Sequence, residues 1–86
     1  MTFPVNKIIV SSTTIRPVDG VVPVGVSLVY RDPNGVDHSV AVTLEAQTKG
    51  TWTYRGFVLP TVTGNWTRTW SATSLLTEDV ATLQVV

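Results

Sequence analysis

A chain of 86 residues with no net charge, 43% apolar side chains and only 14% charged ones is one small domain whose core is modest, burying roughly 60–65% of its unfolded surface. The six basic residues, Lys7, Arg16, Arg31, Lys49, Arg55 and Arg68, are scattered, which speaks against a nucleic-acid partner, since phosphate binding needs a clustered positive surface. No cysteine is present, so disulfides, thiolate zinc sites and a cysteine nucleophile are excluded.

Val and Thr dominate, and both are β-branched, so strands are expected throughout. The segment Met1–Lys7 lacks a basic stretch ahead of a long apolar one, and is not expected to be a signal peptide. No apolar run approaches the ~18 residues of a membrane helix, and no membrane partner is expected. The missing disulfides lean toward folding in a reducing compartment.

The first strand is expected near Lys7–Ser12, with a short edge piece over Thr13–Arg16 that Pro17 stops. Asp19-Gly20 marks a turn, and Pro23 argues against a central strand there. Val26, Leu28 and Tyr30 then alternate with Ser27, Val29 and Arg31, the period of a strand. Asp32-Pro33-Asn34-Gly35 turns the chain: proline presets φ, and glycine supplies a positive φ at the end. The return strand is expected over Val36–Leu44, with Val36, His38, Val40, Val42 and Leu44 on one face.

Thr48-Lys49-Gly50 is the next turn, followed by a strand over Thr51–Leu59 in which Gly56 marks a bulge. Pro60–Asn65 is expected to be a loop, Trp66–Ala72 a strand, and Ser74–Asp79 a connection. Ala81, Leu83 and Val85 line the inner face of a last strand. About seven strands at this spacing suggest an antiparallel two-sheet sandwich, which covers one face of each sheet and leaves Thr and Ser outward.

No catalytic constellation accompanies these strands, and no catalytic residue, cofactor or metal site is assigned. His38 has no partner identifiable from sequence and reads as a polar strand residue. Asp32, Asn34 and Asp37 put three oxygen-bearing side chains on one loop, but a calcium loop of the EF-hand type needs twelve residues and a distal glutamate. Glu78 and Asp79 are adjacent, so on a strand they face opposite sides and make no carboxylate pair. Asn65-Trp66-Thr67 fits the glycosylation acceptor pattern, without a secretory signal to go with it.

The aromatic rows carry the most information. Trp52 and Tyr54 share a face, as do Trp66, Arg68 and Trp70. Trp66 reads as core. For Trp70 two readings stand: core, or a platform beside Arg68 for a sugar or a protein partner. The candidate interface is therefore Trp70, Arg68, Arg55 and Tyr54, and the structural set is Trp52, Trp66, Gly35 and Pro33.

The order of signals, Val29-Tyr30-Arg31-Asp32-Pro33-Asn34-Gly35, Gly50-Thr51-Trp52-Thr53-Tyr54-Arg55 and Gly64-Asn65-Trp66-Thr67-Arg68-Thr69-Trp70, resembles the small immunoglobulin-like virion proteins of tailed bacteriophages. Those share an Asp-Pro-Asp-Gly turn, a Gly-x-Tyr strand and a Gly-x-Trp-x-Tyr-x-Trp strand. The likeness covers roughly Val24 to Val86. Asn34 replaces the usual aspartate, Trp52 the usual tyrosine and Arg68 the usual aromatic, and the chain ends Leu83-Gln84-Val85-Val86 where the family often carries Phe-x-Val. The resemblance implies an immunoglobulin-like sandwich without enzymatic activity. It implies an accessory or decoration protein of the virion, assembled in the host cytoplasm. Its partners would be major capsid or head–tail proteins in many symmetry-related copies, and the free form a monomer or weak homo-oligomer. The alternative is a carbohydrate- or cell-surface-binding module, which would use exposed aromatics.

Overall fold

The computed structural model describes residues 2–17, 22–73 and 79–86. Eight strands are formed among them: β1 (Thr2–Phe3), β2 (Ile9–Ile15), β3 (Ser27–Arg31), β4 (Asp37–Val40), β5 (Thr43–Thr48), β6 (Thr51–Val58), β7 (Gly64–Ser71) and β8 (Asp79–Val85). They make two sheets, one of order β1-β8-β7-β3-β4 and one of order β2-β6-β5. Every pairing is antiparallel except β1 with β8, where Thr2 lies opposite Gln84. The two-sheet sandwich is the architecture read from strand spacing.

Period-two alternation decides which side chains meet between the sheets. Ile9 and Ile15 of β2, Trp52 and Tyr54 of β6, Leu28 and Tyr30 of β3, Trp66 and Trp70 of β7, and Leu83 and Val85 of β8 form one buried cluster. Each buried aromatic removes about 150–250 Å² from water, on the order of 4–6 kcal/mol of transfer free energy against the entropy of ordering the chain. That makes the three tryptophans and two tyrosines the dominant favourable term here.

Several expected boundaries are corrected. Thr13–Arg16 is no separate edge piece, because β2 runs unbroken to Ile15 and pairs with β6 throughout. The strand expected over Val36–Leu44 is two strands in different sheets. β4 ends at Val40, Ala41-Val42 crosses over, and β5 begins at Thr43. A continuous apolar alternation hid the crossing, since both strands obey the same period. Gly56 makes no bulge: it sits in register opposite Ser11. The irregularity lies in β5, between Leu44 and Ala46. Gly56 instead permits close packing, because a Cβ there would lie 2.8 Å from Leu28 Cδ2 and 3.1 Å from the Ala41 carbonyl oxygen. β7 takes in Gly64 and Asn65, and Asp79 opens β8 rather than closing a connection. The turn assigned to Asp19-Gly20 and the side chain of Glu78 lie outside the described residues.

The sheets are offset. β6 packs over β3 and β4, whereas β5 projects beyond them, with all six of its residues exposed. On the opposite side β2 is the edge of the smaller sheet, and a cavity opens between it and β8.

Candidate functional site

At one end of the sandwich the β3–β4 turn is held by a single carboxylate. Buried Asp32 accepts from the amides of Asn34 and Val36, each at 2.9 Å, and from His38 Nε2 at 3.0 Å. Gly35 has φ of 82°, as its place in the turn requires, and donates its amide to the Asp32 carbonyl at 3.0 Å. The His38 hydrogen bond, then that of the Val36 amide, lowers the Asp32 pKa below its ordinary value. His38 is thus half of a pair whose other half the sequence did not reveal. Its ring lies against Trp66, with centroids 5.4 Å apart.

Trp66 ties this end to the next loop by donating Nε1–H to the Val62 carbonyl at 2.9 Å. Gly64 lies so close to Pro33 that a Cβ would fall 2.7 Å from Pro33 Cγ. The oxygen-rich loop read as a possible calcium ligand set is occupied from within. Asp32 serves the turn, and Asp37 accepts from Arg31 Nε at 2.7 Å and Nη2 at 3.3 Å, an exposed fork that lowers the Asp37 pKa. Among the described residues no cluster of three metal-ligating side chains is found.

The four expected interface residues do not form one surface. Trp70, at 1% exposure, and Tyr54, at 8%, belong to the core, which corrects the interface reading for both. The inward phase of β7 buries Trp70 just as it buries Trp66. Arg55 stands on the outer face of the smaller sheet, paired with Glu45 at 3.3 Å. Arg68 lies between the sheets, 23% exposed, with Nη2 3.6 Å from Asp79 and Nε buried without a hydrogen-bond partner. Trp52 and Trp66 are core residues, as expected.

Two features escaped the sequence reading. Ile8, Val10, Phe57 and Leu59 are each more than half exposed. Val10 lies opposite Phe57 in the ladder, and Ile8 and Leu59 flank them, so the four form an apolar block at one end of the smaller sheet. The signal was present: in the triplets Ile8-Ile9-Val10 and Phe57-Val58-Leu59, alternation must turn some apolar side chains outward. The second feature is a cavity of about 360 Å³ between β2 and β8, lined by residues 9–12, Arg68, residues 81–83 and Phe3. It depends on the offset of the sheets, which no local pattern encodes.

This pairing of a five-stranded and a three-stranded antiparallel sheet, with the first strand switched to run parallel to the last, defines an immunoglobulin-like sandwich domain. In solved structures it is similar to the Lin-41 filamin domain, with a TM-score of 0.63 and 16% identity over 99% of this chain and 82% of that one. That likeness concerns the fold. No protein-family model matches the sequence. No curated protein matches it either.

Proposed function

We propose that this immunoglobulin-like domain is a non-enzymatic docking protein of the bacteriophage virion, an accessory that binds assembled capsid or head–tail proteins. The observation that carries the docking role is the exposed block of Ile8, Val10, Phe57 and Leu59. Contiguous apolar side chains on an otherwise Thr- and Ser-rich face fit a partner surface better than water. The virion context comes from the motif resemblance. A small patch gains little from one contact, but a lattice of equivalent sites multiplies it through effective concentration. Binding across neighbouring subunits then favours the assembled state by mass action.

The carbohydrate-binding alternative needs exposed stacking rings, and Trp52, Trp66 and Trp70 are all buried. Phe57 is the exposed ring among the described strands, and it sits in the apolar block. Co-sedimentation with purified phage capsids, run beside a glycan array, tests the reading. Retention on particles that is lost in Phe57→Asp, with an unchanged melting temperature, supports it. Glycan binding without retention on particles overturns it.

A further inference from the structure

Of the four sheet edges, three are blunted. β1 has two residues and leaves residues 79–83 of β8, a stretch that opens on the charged Asp79, unpaired on that side; β4 is a four-residue strand carrying Asp37 and His38, and β5 is bulged and carries Glu45. Such devices keep an edge from pairing with another chain. β2 has none of them. Its seven residues, Ile9-Val10-Ser11-Ser12-Thr13-Thr14-Ile15, include no charge, proline, glycine or bulge, and among the described residues they pair on one side only.

The space beside that free edge is already shaped. Residues 9, 10, 11 and 12 all line the cavity. Successive strand side chains point to opposite faces, so four in a row line one space through their backbone edge. The floor is β8 at residues 81–83, and Phe3 closes one side. In the immunoglobulin arrangement a further strand commonly occupies this place beside the second one; here the first strand pairs with β8 instead.

The polar group in this space is incomplete. Arg31 closes both side-on nitrogens of its fork on Asp37, at 2.7 and 3.3 Å. Arg68, lining the cavity, leaves Nε buried and unpaired and holds Asp79 only at 3.6 Å through Nη2. Buried donors without partners are costly; the Nε1–H groups of Trp52 and Trp70 share that state, but only Arg68 among the three lines the cavity.

We propose that the β2–β8 groove receives an extended segment of another protein, which adds to β2 as a fourth strand and sets an aspartate or glutamate side chain against the part of the Arg68 guanidinium that faces the groove. Main-chain pairing with β2 supplies affinity, and the carboxylate supplies specificity. Asp79 is the built-in competitor for the guanidinium. The inference goes beyond the virion reading and stands whether or not the partner is a capsid protein.

The test uses the full chain and two nine-residue peptides of alternating valine and threonine, one with a central aspartate and one with asparagine there. Amide resonances report the site. The aspartate peptide is expected to shift the amides of Val10, Ser12 and Thr14 and the Arg68 Nε–H signal, and to bind about tenfold more tightly than its asparagine counterpart. Asp79→Asn should tighten the aspartate peptide, and Arg68→Gln should erase the difference between the two. Equal binding of both peptides to the natural chain overturns the proposal without recourse to any variant. So do shifts confined to β4 or β5, acetate alone matching the peptide, or no binding of either peptide at about 1 mM.

Discussion

The hairpin end and the β2–β8 edge handle buried polar groups in opposite ways. At the hairpin end Asp32 is met by two amides and a histidine, and Trp66 spends its N–H on Val62. At the β2–β8 edge Arg68 keeps an unpaired Nε beside an open cavity. A satisfied network specifies a conformation, whereas an unsatisfied donor marks a place where something is missing or nothing is gained. The first region is therefore a fastener. The second is the part of the fold we propose as the place for a partner.

The largest blow to the fastened end is Trp66→Ala, expected to cost about 3–5 kcal/mol in denaturant unfolding, a large share of the stability of any small domain. Trp66→Phe keeps most of the packing and loses the Val62 bond, so about 1 kcal/mol is expected. A Trp66→Ala variant that unfolds at the natural midpoint would remove Trp66 from the core and reverse the phase of β7.

Gly35→Val comes next, at about 1–3 kcal/mol, because a β-branched residue must hold φ near 82°. No atom lies near enough to clash with an added Cβ. The loss should therefore be the same for valine and for the larger isoleucine. A cost that grows with side-chain size would point to packing instead.

Acid sharpens the comparison further. Asp32 titrates below its ordinary value when folded, so its contribution is complete above about pH 4 and is lost as pH falls through the lowered value. Thermal melts of Asp32→Asn should show a flatter acid limb than the natural chain. Asp37, lowered by Arg31, contributes in the same direction from an exposed position. An acid limb unchanged in Asp32→Asn would show that the turn does not depend on the charge.

The smallest effect is expected at the open edge. Arg68→Met removes a buried Nε that has no partner, at the loss of only the loose 3.6 Å contact with exposed Asp79, and leaves aliphatic bulk in place, so stability should be held or slightly raised. Substantial destabilisation would place Arg68 among the fasteners and dissolve the contrast.

The strand faces were legible because period two is a local property. Trp52 with Tyr54, and Trp66 with Trp70, fell on the inward side as alternation requires. Gly35 was legible from turn chemistry alone. The crossing at Ala41-Val42 was not, since the alternating row Val36, His38, Val40, Val42 continues smoothly across it in the sequence, although Val36 itself is exposed in the structure. Nor was the Asp32–His38 pair: the hairpin register places Tyr30 opposite His38, and only the inward fold of the turn brings the carboxylate within reach. Burial of Trp70 was undetermined from sequence because it depends on how far the opposing sheet reaches over that end of β7, and Ile15, Trp52 and Tyr54 of that sheet join Trp70 in the core cluster.

The parallel pairing of β1 with β8 has a consequence for how the molecule is made. The smaller sheet needs only β2, β5 and β6 and is complete in sequence by Val58. During synthesis its inner face, with Ile15, Trp52 and Tyr54, waits uncovered until β7 and β8 have emerged. Joining β1 to β8 in an otherwise unfolded chain closes a loop of some 80 residues, on the order of 4 kcal/mol of chain entropy. Once the sandwich has formed, that cost has already been met by other contacts. β1, held to β8 by two residues, then acts as a latch that can close late at little further cost in chain entropy.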